Sequence, residues 1–288
     1  MSWGPLDVAL AAVTTMSVIV AVLSFAMFIG EMTGFEPALS SGSQMVIGGP
    51  AVAIAYLATR YAKTQLWPLS VALVGSALVI SLAYLFASED GNGSAVTLGV
   101  PVSIIVATAM SSSFAVVAIG YSVVRYREPF TALGFDKTDG IKPYVFAVGM
   151  WLIGLSVLLF WVQALVWFGV DSLVPPDTAK KALDEAGGSI VVTIVLVGIL
   201  GPIAEEIFFR GYVLPGLVKR FGIGWALLLS SVMFGLFHID PGAIVPTFAL
   251  GLALGWVYLK TGSIWPAMFA HGLHNTVAVL IAKYVSAA

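Results

Sequence analysis

Apolar residues run along this chain in long blocks set apart by short polar punctuation. Such tracts fall at about 8–30, 45–59, 66–87, 100–124, 144–170, 190–218, 224–239, 244–259 and 264–282. Several approach the roughly 20 residues that a helix needs to cross a hydrocarbon core of about 30 Å. They are continuous rather than alternating, which argues against a transmembrane barrel and leaves the helix as the way to satisfy every backbone group in lipid. The pattern predicts an all-α fold, a polytopic transmembrane helical bundle. It has nine helices on this count, and eight if one of the short tracts, the second or the last three, does not span. The first tract has no positively charged flank ahead of it and no small-residue cleavage site, so it reads as a retained helix rather than a signal peptide.

Composition sharpens this picture. Of 288 residues 59% are hydrophobic and 10% charged, with mean hydropathy +1.01; a soluble domain carries about a quarter charged residues. Cysteine is absent, which excludes disulfides, thiolate catalysis and cysteine metal sites. A net charge of -2 without a basic stripe gives no basis for nucleic-acid binding. Arg60, Lys63, Arg125, Arg127, Lys137, Lys142, Lys219, Arg220 and Lys260 follow even-numbered helices, against Lys180, Lys181 and Lys283 on the other side. The positive-inside rule then places the N-terminus in the cytoplasm of a multi-pass protein, with the plasma membrane as the expected location. The connectors at 125–143 and 171–189 read as solvated loops, the second with room for a short amphipathic helix. Trp3, Trp67, Trp265 and Tyr284 lie near helix ends, as an interfacial aromatic belt would, and Gly251 and Gly255 form a GxxxG suited to close helix contact.

Against that background three charges fall inside a span: Glu205, Glu206 and Arg210, in "GPIAEEIFFRGYV". Each costs about 2.5–3.5 kcal/mol at mid-membrane and less toward an interface, so three within a turn and a half need a reason. Glu206 and Arg210 are four residues apart on one helical face, while Glu205 points about 100° away. This predicts an ion pair between Glu206 and Arg210 and leaves Glu205 free for chemistry. Pro202 predicts a kink between Gly198 and Pro202 that opens space beside Glu205. All three histidines, His238, His271 and His274, follow the carboxylate pair in apolar tracts. His271 and Asn275 share a face; His274 is rotated away and reads as structural. Separated polar groups in apolar helices are best satisfied by meeting one another, whereas Phe208, Phe209, Phe234 and Phe237 read as packing.

In this order, "EEIFFR", "FGLFH" and "HGLHN" resemble the EExxxR, FxxxH and HxxxN motifs of the CAAX-processing and bacteriocin-processing intramembrane endopeptidases. That family includes the type II CAAX prenyl endopeptidases and the lysostaphin-resistance and abortive-infection proteins. The resemblance covers about 190–282 and suggests a division into N-terminal helices of unassigned role, 1–187, and a protease-like core, 188–284. It implies a helical bundle around a conical cavity open to the cytoplasmic leaflet. It also implies that Glu205 and His238 activate a water, that Glu206 and Arg210 orient the set, and that His271 and Asn275 stabilise the oxyanion. Its implied substrate is a membrane-associated or lipidated protein or peptide. Glu205, His238 and His271 would be the ligands of a divalent metal such as zinc; HExxH is absent, and a metal-free glutamate-activated water is equally open. Two other readings compete: a non-catalytic immunity or scaffold protein of the same fold, and a proton-coupled transporter using the Glu and His groups as a relay. The transporter reading lacks the repeated halves common in that class.

Overall fold

The computed structural model describes residues 2–33, 88–89, 95–97, 100–238 and 240–285. The helices expected at 45–59 and 66–87, and Trp67, lie outside them. Helix α1 spans Pro5–Thr33, and α2 spans Val102–Ile119 and continues through a π-helical turn, Gly120–Arg125. Helix α3 is Lys142–Phe168, α4 the short Thr178–Glu185, α5 the 47-residue Ile190–Leu236, α6 Pro241–Thr261 and α7 Trp265–Tyr284. Among the described residues α1, α2, α3, α5 and α6 are long and apolar enough to cross a membrane. The all-α membrane fold is as expected, with one addition: strands β1 Ser88–Glu89, β2 Ala95–Thr97 and β3 Val100–Pro101 pair antiparallel just before α2.

Local chemistry sets the helix ends. Pro143 opens α3, where its missing N–H costs nothing, and Gly169 (φ 67°) closes it in the left-handed conformation. The Asp177 side chain accepts from the Lys180 amide at 2.9 Å to start α4, the surface helix anticipated in the 171–189 loop. Asp240 caps α6 by accepting from Gly242 and Ala243 at 2.8 and 3.2 Å.

Helix α5 organises the rest, with α2 packed on one side of its first arm and α7 on the other, while its second arm lies along α6. Gly222 (φ 75°, ψ 170°) separates the two arms, a conformation readily open only to glycine. Where the sequence predicts a kink ahead of Pro202, the helix is π-wound. Ile194–Leu200 and Ile207–Val213 are π-helical, on either side of the α-helical Gly201–Glu206. Dihedrals at Leu200 (−68°, −42°) and Gly201 (−57°, −58°) stay helical. The longer-range bonding of a π turn accommodates a proline while the backbone stays helical.

Two expectations from the sequence are corrected here. Trp3 does not sit in an interfacial belt: it is 1% exposed, stacks on Tyr212 with ring centroids 5.0 Å apart, and donates from Nε1 to the Tyr212 carbonyl at 2.9 Å. Gly216 makes room for it, since a Cβ there would lie 2.8 Å from the indole. The 125–143 connector is not merely solvated either. Its 3-10 turn Phe130–Leu133 buries Leu133 completely against Gly211, where a Cβ would come within 2.8 Å of the Leu133 carbonyl oxygen. Ile264 N–H then donates to the Gly134 carbonyl and Ser263 to the Asp136 carbonyl, at 2.8 and 2.6 Å. This docks the loop between α5 and the start of α7.

Candidate active site

The expected ion pair is present. Arg210 Nη1 donates to Glu206 Oε1 at 2.8 Å, with Glu206 fully buried and Arg210 1% exposed. The attraction within a buried pair offsets its desolvation better when further donors of the pair are also satisfied. Arg210 Nη2 therefore reaches across to the Gly251 carbonyl on α6 at 3.1 Å, and the guanidinium lies over the Phe234 ring at 4.5 Å. The close approach of α6 that makes this possible rests on the glycines flagged by sequence. A Cβ on Gly251 would lie 3.1 Å from Ser231, and one on Gly255 would lie 2.5 Å from Leu227.

Helix α7 adds the next link. His271, buried, places Nδ1 at 2.8 Å from the same Glu206 Oε1. A carboxylate accepts, so Nδ1 carries the proton, and Nε2 is turned toward Glu205 Oε2 at 3.9 Å. That separation is too long for a direct hydrogen bond. Glu205 Oε2 is buried without a hydrogen-bond partner, although its side chain as a whole is 20% exposed. The two carboxylates differ in environment as their positions on the helix foretold: Glu206 Oε2 is likewise buried without a hydrogen-bond partner, but Glu206 is fully enclosed and its Oε1 is held by both Arg210 and His271, whereas Glu205 lies at the edge.

His238 ends the second arm of α5, where Nδ1 donates to the Phe234 carbonyl at 2.8 Å. A carbonyl can only accept, which leaves the lone pair on Nε2. Phe234 stands between the histidines, its ring centroid 5.1 Å from that of His238 and 5.7 Å from that of His271. Asn275 donates from Nδ2 to the Val197 carbonyl at 2.8 Å, pinning α7 to the π turn of α5. His274 accepts from Trp151 Nε1 at 3.2 Å, the structural role expected of it. Glu206, Arg210 and His271 therefore meet directly, Glu205 stands beside them, and His238 and Asn275 satisfy themselves on nearby backbone.

Gly198 and Gly272 set the crossing of α5 and α7 at this point. A Cβ on Gly198 would lie 2.7 Å from Thr276 Oγ1, and one on Gly272 would lie 2.8 Å from the Gly198 carbonyl oxygen. Alongside the crossing is an apolar cavity of about 450 Å³ lined by Tyr144, Ile199, Ile203, Phe269, Gly272 and Thr276. Among the described residues no three His, Asp or Glu side chains stand together so as to hold a metal ion. In this arrangement Glu205, His238 and His271 do not converge as a ligand set.

The Gly251 and Val197 carbonyls and Trp151 complete the site without having been singled out from the sequence. Backbone acceptors have no signature in a sequence, and a tryptophan in an apolar helix reads as packing.

Comparison with known proteins agrees with the motifs. Residues 187–277 match the family described as Type II CAAX prenyl endopeptidase Rce1-like. The chain is 34% identical over 135 residues to the Bacillus subtilis protein named "Putative membrane peptidase YdiL", covering 46% of this chain and 55% of that protein. It is 23% identical over 132 residues to the UPF0177 protein YxdF of Lactococcus lactis, covering 41% of this chain and 73% of that one. The chain thus spans about half the length of the first of these relatives. No solved structure matches. The resemblance carried by the three motifs is borne out over residues 187–277.

Proposed function

We propose, from a segment that matches the Rce1-like endopeptidases, that this protein is an intramembrane endopeptidase that hydrolyses a peptide bond of a membrane-associated protein or peptide. The observation that carries the proposal is the disposition of Glu205: its buried Oε2 has no hydrogen-bond partner and lies 3.9 Å from His271 Nε2, beside a Glu206 whose Oε1 is held by both Arg210 and His271. A contact of that length between two polar atoms suits a shared water.

In this mechanism Glu205 accepts a proton from water as the water oxygen attacks the scissile carbonyl carbon. Proton transfer by a positioned side chain contributes typically 10²- to 10⁴-fold. His238, with its Nε2 lone pair free, accepts a hydrogen bond from the water and so positions it for Glu205 to deprotonate. Glu206 and Arg210 do not react; they fix the His271 ring through its Nδ1 proton. For His271 to stabilise the oxyanion, both ring nitrogens must donate, Nδ1 to Glu206 and Nε2 to the oxyanion. Asn275 retains a second amide N–H beyond the one held by Val197 and supplies the other donor. The proton taken by Glu205 passes to the departing amine, which closes the balance.

The apolar cavity beside Gly272 and Thr276 suits a lipid-embedded part of the substrate. Proteins with a lipidated C-terminus, the class named in the family's description, are the first to test. The decisive experiment compares peptide termini by mass spectrometry in membranes containing wild type or Glu205→Gln at equal abundance. Termini that depend on Glu205 are expected, and they supply substrates and cleavage sites together. Identical profiles, with both proteins folded and a cleavable lipidated substrate supplied, would overturn the proposal.

A further inference from the structure

Away from the site, α3 and α6 form a second apolar feature. Met150, Ile153, Gly154 and Val157 on α3 face Val245, Phe248, Ala249, Leu252, Ala253 and Trp256 on α6, with Leu227 from the second arm of α5, around a groove of about 510 Å³. No charged or hydroxyl side chain lines it. Ile153 and Val157 are exposed on its flank, so the groove opens sideways. From Val245 to Trp256 it follows twelve residues of α6, about 16 Å of helix.

One turn beyond Trp256 stands Lys260, with its Nζ 4.5 Å from the centre of the Trp256 ring. Lys260 is exposed and makes no ion pair among the described residues. It is also at the end of α6 that the Lys and Arg asymmetry predicts to be cytoplasmic, where anionic lipid headgroups concentrate. A long apolar groove along a spanning helix, ending at an unpaired cation held by an interfacial aromatic, has the layout of a lipid's tail and head.

We infer that the α3–α6 groove is a binding site for an anionic phospholipid, one acyl chain lying along Val245 to Trp256 and the headgroup phosphate at Lys260. Inside a bilayer the tail gains little from the groove, because the surrounding lipid is equally apolar. Discrimination therefore comes from the headgroup, and the site separates lipids by charge rather than by chain. This inference does not depend on the proteolytic reading, since the groove lies on a different helix seam from Glu205.

The test is native mass spectrometry of the full chain released from nanodiscs of equal parts phosphatidylglycerol and phosphatidylcholine with matched chains. Wild type is expected to retain phosphatidylglycerol at least about fivefold over phosphatidylcholine, a free-energy difference of about 1 kcal/mol. Lys260→Ala should bring the ratio near one, and Lys260→Arg should keep it high. Ala249→Phe, which fills the groove and leaves the cation in place, should lose the retained lipid of both kinds. Lys180→Ala, an exposed cation on α4, should change nothing. An equal ratio on wild type, a preference that survives Lys260→Ala, loss with Lys180→Ala, or a second copy of the chain released in place of lipid would each overturn the inference.

Discussion

Removal of the Arg210 side chain is the most informative single perturbation of this fold. Arg210→Met leaves Glu206, fully buried, with only the His271 Nδ1 proton as partner. Three interactions go at once: the 2.8 Å ion pair, the 3.1 Å bond to the Gly251 carbonyl and the 4.5 Å stacking over Phe234. Taken singly, charged hydrogen bonds are worth about 1.5–3 kcal/mol and a desolvated cation–π contact about 2. They share one side chain and do not add. The better guide is that breaking a buried pair by deleting one partner costs about 3–5 kcal/mol, most of it the stranded charge. At roughly 2–4 °C per kcal/mol for a chain of this size class, the unfolding midpoint in detergent should fall by roughly 6–20 °C, read from tryptophan fluorescence. The double variant Glu206→Leu/Arg210→Met removes the stranded carboxylate. It should recover about half the loss or more, short of wild type because His271 Nδ1–H then lacks its acceptor at about 1–3 kcal/mol. Proteolysis should not return with stability, because the same substitution unfastens the His271 ring. A fall of less than about 2 °C for the single variant, or a double variant no more stable than the single, would refute the reasoning.

The remaining predictions concern other parts of the molecule. Gly251→Ala places a Cβ 3.1 Å from Ser231 and 3.3 Å from Phe234; it should cost about 1–3 kcal/mol. Ser231→Gly in the same chain should recover little of that loss, because the Ser231 Cα is as close as its Cβ at 3.1 Å and remains, which a thermal melt of the three variants would show. Prolonged chelation of the purified protein should leave Glu205-dependent cleavage within about twofold, as expected for side-chain general-base chemistry; loss restored by zinc would show the site regrouping around an ion. Glu185 on α4 has its carboxyl raised above the usual range by burial, against the opposing pull of Lys181 at 3.9 Å. The folded form therefore keeps that proton to higher pH than the unfolded chain, so stability from this group is present at low pH and lost as pH rises past the ordinary Glu value of about 4.3. Glu185→Gln should accordingly melt slightly above wild type at pH 7.5 and equal to it at pH 4, the surface pair with Lys181 being worth little.

Much of the site was legible because charge is conspicuous in an apolar tract. The four-residue spacing of Glu206 and Arg210 was enough to foresee their pairing and the separate environment of Glu205. The same arithmetic placed His271 and Asn275 on one face, but not their partners: His271 turns to Glu206, and Asn275 turns to a backbone carbonyl. The ends of α3 and α6 are set by Gly169, Asp240 and Gly262, residue types that belong to helix ends. The π turns have no such signature, because bonding to the fifth residue rather than the fourth changes no residue type. Trp3 was misjudged because its partner Tyr212 lies 209 positions away, and a tryptophan at a helix end has the same local pattern whether it faces lipid or protein. The 125–143 connector reads as polar, and its docking depends on one leucine, Leu133, meeting one glycine, Gly211.

The intrahelical ion pair has a consequence for biogenesis. Glu206 and Arg210 sit on the same helix, so their bond needs no other segment to be present. As the nascent chain leaves the ribosome, the helix around them can neutralise two of its three charges on its own before α6 and α7 have been synthesised. The segment then meets the translocon carrying the net burden of Glu205 alone, within reach of the interface. Had the arginine been placed on α6, facing Glu206 from across the bundle, the finished site would look much the same, yet each helix would have had to enter the membrane with its charge unshielded. By keeping the counter-ion one turn away, the chain separates the problem of inserting the site from the problem of assembling it.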